Sequence, residues 1–108
     1  MTSNVYRGVG DQFSARVGQE IAFKQFTSTS TSKKVAIGFL LESGKPLSQC
    51  TLFYIESARG IPMYDFWGYG EAEVLLAPND AFRVESVTQD NKTGITVIRL
   101  RSNGTSLF

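Results

Sequence analysis

Residues 50–57 read Cys50-Thr51-Leu52-Phe53-Tyr54-Ile55-Glu56-Ser57, and this stretch decides the fold. Its apolar, β-branched and aromatic residues are typical of a buried strand, and a free cysteine such as Cys50 is usually buried as well. Comparable short runs lie on both sides of it, and we predict further strands over residues 4–8, 21–26, 71–77, 82–88 and 95–101. The chain is therefore predicted to be mostly β.

One helix interrupts the strands. Apolar residues recur at helical spacing between Val35 and Leu40, and a Ser/Thr stretch over residues 27–32 offers an N-cap before them. We predict a helix over about residues 32–41, ended by Gly44 and Pro46. A loop is expected over residues 58–70, and residues 90–94 predict a hairpin between the last two strands.

Composition limits the function classes. The chain has 108 residues, which suits one domain over residues 1–108. Its 11 basic and 10 acidic residues are scattered, so a nucleic-acid partner or an anionic membrane surface is not expected. No transmembrane or signal segment is visible, and we expect a cytoplasmic protein or one secreted as part of a larger precursor.

The chemistry available to the chain is narrow. Histidine is absent and Cys50 is the single cysteine, which removes most metal sites, every Ser/His or Cys/His nucleophile arrangement and any internal disulfide. Any chemistry that the chain performs must therefore use carboxylates, hydroxyls, arginine and backbone groups, and no metal is predicted.

A glutamate pair is the strongest functional signal. Glu71 and Glu73 follow an aromatic, glycine-rich loop over residues 63–70. On a strand they share one face, about 7 Å apart at roughly 3.3 Å per residue. Two carboxylates held at that spacing suggest chemistry, although charges on an edge strand also discourage edge pairing.

Two other polar features lie at strand ends. Arg7 interrupts an apolar strand and precedes Gly8; turned inward it would suit a phosphate, and turned outward it would be ordinary surface. Residues Ser28-Thr29-Ser30 end a strand just before the helix. They either cap the helix or form a hydroxyl cluster that orients a polar ligand or a carboxylate.

Taken in order, these features resemble the R-S-E class of mono-ADP-ribosyltransferases, which includes arginine-specific vertebrate ectoenzymes and bacterial toxins. The resemblance spans residues 5 to about 87. The residues that carry it are Tyr6-Arg7-Gly8-Val9, Phe26-Thr27-Ser28-Thr29-Ser30 with Ala36 and Phe39 behind it, and Glu71-Ala72-Glu73-Val74-Leu75-Leu76 with Pro78. It implies an α+β, mostly β fold, a split β-sandwich of two small sheets with one main helix.

The resemblance also implies a reaction. ADP-ribose would pass from NAD, the co-substrate, to an arginine side chain of a target protein, with release of nicotinamide and without a metal. Arg7 would bind a phosphate of NAD, and the backbone of Gly8 would contact the nicotinamide carboxamide. Ser28 would orient the catalytic glutamate, while Thr29 and Ser30 would shape the floor of the pocket.

The two glutamates would then differ in role. Glu73 would be the catalytic glutamate, and Glu71 would hold the acceptor guanidinium. Phe39 would lie against nicotinamide or belong to the core, and the sequence leaves both interpretations open. The acceptor protein would meet a loop that contains Tyr64, Phe66, Trp67 and Tyr69.

Alternatives remain at this point. Members of the family carry a helical region before the arginine strand, whereas Arg7 lies near the first residue here. The NAD crevice would then be open on one side or completed by another chain. A non-catalytic protein-binding module on the same scaffold, or an NAD glycohydrolase, would also fit the pattern.

Overall fold

The computed structural model describes residues 2–25, 27–63, 73–78 and 80–106. The strands in this part of the chain are β1 (Thr2–Val9), β2 (Glu20–Ala22), β3 (Thr27–Ser30), β4 (Thr51–Met63), β5 (Glu73–Leu76), β6 (Asp80–Gln89) and β7 (Thr96–Ser106). The helix α1 (Lys33–Glu42) and a short 3-10 helix (Leu47–Gln49) lie between β3 and β4. The strands join in one network with the order β1-β3-β5-β4-β7-β6-β2.

β4 is the central strand. Its residues 51–56 pair in parallel with β7, and its residues 60–63 pair antiparallel with β5. Because β1 pairs with both β3 and β4, the strands β1, β3, β5 and β4 close a ring. The prediction of a mostly β fold with one main helix is confirmed. Instead of two separate small sheets, the described strands are joined in one seven-stranded network, because β4 pairs with β1, β5 and β7.

Apolar clusters lie on both faces of β4. Phe53 belongs to the larger cluster, and Leu52 belongs to the cluster under α1 together with Ala36 and Leu40. Successive side chains of a strand point to opposite faces, so a strand covered on both sides reads as a continuous apolar run. Cys50 is fully buried and belongs to the second cluster, as the sequence predicted.

The helix begins and ends where the sequence indicated. The hydroxyl of Ser32 accepts a hydrogen bond from the Val35 N–H at 3.3 Å and caps the first turn. Gly44, just past the helix, has φ +72°, a conformation that favours glycine. The buried residues of α1 are Ala36 and Leu40. No helix in the described part is long and apolar enough to cross a membrane.

The strand predicted over residues 21–26 was too long. β2 spans only Glu20–Ala22 and pairs with β6, with Ala22 opposite Ala81. β6 begins at Asp80, one residue before Ala81, so it offers almost no partner to the residues that follow Ala22. Phe26 lies outside the described residues.

The strand predicted over residues 50–57 was too short, and the predicted loop began too early. β4 continues to Met63 because its last residues pair with β5. Gly60 permits this pairing, since a Cβ there would lie 2.4 Å from Val74 Cγ1. Residues 64–72, which contain the rest of the predicted loop and Glu71, lie outside the described part.

The hydroxyl stretch forms a strand of its own. Thr27–Ser30 is β3, which pairs antiparallel with β1 on one side and β5 on the other. The sequence indicated only a strand end and a helix cap here, because serine and threonine suit caps and turns. Partners on both edges decide the strand conformation instead.

The predicted hairpin after β6 is confirmed. β6 and β7 pair antiparallel, and the Asp90 N–H donates to the Ile95 carbonyl at 2.9 Å across the turn. Gly94, with φ +79°, turns the chain back. Both strands extend beyond the ranges predicted from the apolar pattern, because antiparallel pairing continues past it.

Glu56 is a nearly buried carboxylate, 8% exposed, held by two arginines of β7. It accepts hydrogen bonds from Arg99 Nε and from Arg101 Nη2, the latter at 2.7 Å. The hydrogen bond from Arg99 is the main cause that lowers the pKa of Glu56 below the ordinary value of 4.5. A lowered pKa in the folded state means that the ionised carboxylate stabilises the fold above pH 4.5 and loses this effect as the pH falls.

We therefore expect Glu56→Gln to reduce the free energy of unfolding at pH 7, with a difference from wild type that shrinks as the pH falls below about 4.5. Urea denaturation at a series of pH values measures this difference in the free energy of unfolding. Glu85→Gln is the matched control, because the Glu85 carboxylate lies 3.5 Å from Arg101 and is more exposed. A difference that stays constant down to pH 3 would contradict the assignment.

Candidate active site

A cavity of about 260 Å³ lies between β1, β3, the first turns of α1 and the start of β5. It brings together residues from each of the three motifs that the sequence singled out. Its lining residues are Tyr6, Arg7, Gly8, Ser28, Thr29, Ser30, Val35, Ala36, Phe39 and Glu73.

The hydroxyl of Ser28 donates to Glu73 Oε2 at 2.6 Å. In the β3–β5 ladder Ser30 lies opposite Glu73, so Ser28 is its diagonal neighbour across the two strands. A short hydrogen bond to a carboxylate is among the stronger ones in proteins. The bond therefore holds one oxygen of Glu73 in a defined place on the cavity wall.

Arg7 lies beside this pair. Its Nη1 donates to the carbonyl of Ser28 at 3.0 Å, and partial burial lowers the pKa of its guanidinium. The ion pairs found among the described residues do not include Arg7. A guanidinium has five N–H donors in a planar fork, so donors remain for an anion that enters the cavity.

Gly8 is required by packing. A Cβ at this position would lie 2.4 Å from the Ala36 carbonyl oxygen and 2.9 Å from Leu40 Cγ. The absence of a side chain here therefore lets α1 approach β1. Its backbone nevertheless lines the cavity.

Thr29 and Ser30 serve the frame of the site. The Thr29 hydroxyl is buried and donates to the Val74 carbonyl at 2.6 Å, which ties β3 to β5. The Ser30 hydroxyl accepts the Ser32 N–H at 3.0 Å, just before α1 begins. The two interpretations of the hydroxyl stretch therefore apply to different residues, because Ser28 meets a carboxylate and Ser30 supports the helix start.

Phe39 lies on the cavity wall and outside both apolar clusters. It is 57% exposed, whereas Ala36 and Leu40 on the same helix are buried. This placement suits a ring that meets a ligand better than a core residue.

Part of the predicted site is not described. Glu71 and residues 64–70 of the predicted acceptor loop lie outside the described part, whereas Met63 ends β4. That loop contains Tyr64, Phe66, Trp67 and Tyr69. Within the described residues, no group of three or more potential metal ligands is found.

Sequence reasoning assigned no site role to Tyr6, Val35 or Ala36, which also line the cavity. Strand alternation could have indicated Tyr6, because it shares a strand face with Gly8. For Val35 and Ala36 the helical period indicated only a core. Their contribution to the wall depends on where α1 crosses β1.

Comparison with known proteins shows the family to which the chain belongs. Residues 1–106 match the family described as NAD:arginine ADP-ribosyltransferase, and the chain belongs to this family. It is 42% identical over 105 residues to the erythroblast NAD(P)(+)–arginine ADP-ribosyltransferase of Gallus gallus, covering 95% of this chain and 32% of that protein. Over 97 residues it is 32% identical to the ecto-ADP-ribosyltransferase 5 of Homo sapiens, covering 87% of this chain and 31% of that protein.

A solved structure supports the same class. The ADP-ribosyltransferase Vis of Vibrio splendidus, in complex with agmatine, superposes with a TM-score of 0.70 and 28% identity. The match covers 94% of this chain and 49% of that chain. The chain spans about a third of the length of the curated relatives it matches.

The placement of Phe39 can be tested by stability. We expect Phe39→Ala to change the free energy of unfolding by about 0.5 kcal/mol or less, as for an exposed position. Leu40→Ala, the matched neighbour, should cost about 2 to 5 kcal/mol because it leaves a cavity in the core. Urea denaturation measures both, and equal losses would place the Phe39 ring in the core.

Proposed function

We propose that this chain transfers ADP-ribose from NAD to an arginine side chain of a target protein, with release of nicotinamide. The observation that carries the proposal is the Ser28–Glu73 hydrogen bond of 2.6 Å beside Arg7 in one cavity. Membership of the NAD:arginine ADP-ribosyltransferase family supports the reaction class.

NAD would bind with its nicotinamide end in the cavity. The free donors of Arg7 suit a phosphate of the dinucleotide, and the Gly8 backbone and the Phe39 ring would flank the nicotinamide. The cavity, about 260 Å³, is smaller than the 300 to 1,000 Å³ typical of sites that enclose a drug-sized ligand. The remainder of NAD would therefore lie on the adjoining surface or against another chain that completes the site.

Glu73 would act on the ribose. The bond between the anomeric carbon and the nicotinamide nitrogen breaks, nicotinamide leaves with the bonding electron pair, and positive charge develops on the ribose. A carboxylate held near the ribose hydroxyls stabilises that charge in the transition state. Ser28 would keep the carboxylate in place, so little reorganisation is needed as the charge develops.

The acceptor would be a guanidinium. One of its nitrogens forms the new bond to the anomeric carbon and loses a proton, which the Glu71 carboxylate would accept and pass to water. Glu71 would hold this group through paired hydrogen bonds and favour its nucleophilic form. The agmatine complex of Vis supports a guanidinium acceptor, because agmatine carries the same group as arginine. The aromatic residues of the loop before Glu71 would contact the target protein.

We also propose secretion as part of a larger precursor. Support comes from the human relative, which is named an ecto-enzyme.

Glu73→Gln tests the catalytic role. We expect nicotinamide release from NAD to fall at least about 100-fold, because the neutral amide no longer stabilises the developing charge. The thermal midpoint should stay near that of wild type, since an amide oxygen can still accept the Ser28 hydrogen bond. Nicotinamide is measured by chromatography, and the thermal midpoint by circular dichroism.

Two outcomes would contradict the proposal. Unchanged nicotinamide release in Glu73→Gln would remove the catalytic assignment. A wild-type chain that releases no nicotinamide, and whose thermal midpoint does not rise at saturating NAD, would favour a non-catalytic protein-binding module, because a ligand that binds the folded state must raise apparent stability.

Glu71→Gln tests the acceptor role. We expect transfer of label from NAD to polyarginine to be lost while hydrolysis of NAD continues, because Glu71 would touch the acceptor and not the bond that breaks. Mass spectrometry maps the modified side chain. A wild-type chain that releases nicotinamide without modifying arginine would instead be an NAD glycohydrolase.

A further inference from the structure

A bulge interrupts the pairing of β1 with β4. Ser3 lies opposite Ala58 and Val5 opposite Ile55, so Asn4 alone faces two residues of β4. These two residues are Glu56 and Ser57, and Ser57 has φ +55°. It is the one non-glycine residue with positive φ in the described part of the chain. Such a conformation is disfavoured for serine and persists only where surrounding contacts maintain it.

The contacts that maintain it come from both neighbouring strands. On the β1 side, Asn4 Oδ1 accepts the Ser57 N–H at 3.1 Å. On the β7 side, the adjacent Glu56 is held by Arg99 and Arg101. The two bulge residues are therefore fixed by different partners, one through its backbone and the other through its carboxylate.

The bulge coincides with the change of partner along β4. Pairing with β7 ends at Glu56, opposite Arg101, and pairing with β5 begins at Gly60, opposite Leu76. A bulge bends its strand and increases the local twist. The direction in which β4 leaves the bulge therefore sets where β5 lies relative to β1.

This direction matters for the site. Glu73 begins β5, and Arg7 lies three residues after Asn4 on β1. Both meet Ser28 of β3 through bonds of 2.6 and 3.0 Å. Distances this short leave little tolerance, since a misplacement of about 1 Å can cost about 100-fold in rate.

We propose that Asn4 is a positioning residue of the transferase site. Its carboxamide holds Ser57 in the left-handed conformation and thereby fixes the bend that carries Glu73 to its place in the cavity that Arg7 also lines. The inference rests on the proposed function. Asn4 lines no part of the cavity, so it acts through the backbone of β4 and not through contact with NAD.

The test is Asn4→Ala, assayed by nicotinamide release. We expect kcat to fall about tenfold, with KM for NAD within about twofold of wild type, because Arg7 and the cavity wall on β1 are unchanged. Asn4→Asp keeps an acceptor oxygen and should retain most of kcat. Ser57→Gly added to Asn4→Ala should restore kcat, because glycine adopts positive φ without the hydrogen bond to Asn4.

Gln89→Ala is the matched control. It removes a comparable exposed hydrogen bond, from Gln89 Nε2 to the Gly94 carbonyl at 3.2 Å, in the β6–β7 hairpin. Its kcat should equal that of wild type, even where its thermal midpoint falls as far as that of Asn4→Ala. Thermal midpoints of all variants are recorded by circular dichroism, and the assay runs well below the lowest of them.

Several results would overturn the inference. They are an Asn4→Ala variant with wild-type kcat, a change confined to KM, a double variant that Ser57→Gly does not restore, or an equal loss in Gln89→Ala. An inactive wild-type chain would overturn the proposed function itself and the role of Asn4 with it. That result is distinguishable, because it appears before any substitution is made.

Discussion

Buried backbone N–H and C=O groups must find hydrogen-bond partners, and in this chain the strand most affected is β4. Over residues 51–56 its side chains are buried on both faces, apart from the half-buried Tyr54, so the backbone of this part needs partners along both edges. β1 and β7 cover the edges of its first half, and β5 covers its end. The remaining elements are placed by these pairings, including the ring of strands that forms the cavity.

The site depends on this ring because the three residues joined by side-chain hydrogen bonds in the cavity come from three of the ring strands. Arg7 is on β1, Ser28 on β3 and Glu73 on β5. A guanidinium and a carboxylate are costly to hold in a partly buried site unless they are hydrogen-bonded. Ser28 bonds to both, through its carbonyl and its hydroxyl, so one residue of a four-residue strand joins the cation and the anion.

The strands and the helix were largely predictable from local pattern. The apolar run after Cys50, the helical period up to Leu40 and the turn residues before Gly94 each indicated the element that forms. The errors arose where local and long-range preferences disagree. Gly60 resembles a loop residue and Thr27–Ser30 resembles a cap, but both lie in strands because a partner strand is available beside them.

By itself, the sequence determined the mostly β class, the single helix, and the candidate residues Arg7, Ser28 and Glu73, because these follow from residue type, period and order along the chain. Only the tertiary structure decided how they meet. Gly8 proved to serve the packing of α1, and Phe39 lies on the cavity wall. The bulge at Ser57 could not be predicted from the sequence either. The contacts that hold it join residues distant along the chain, and a local pattern does not indicate such pairs.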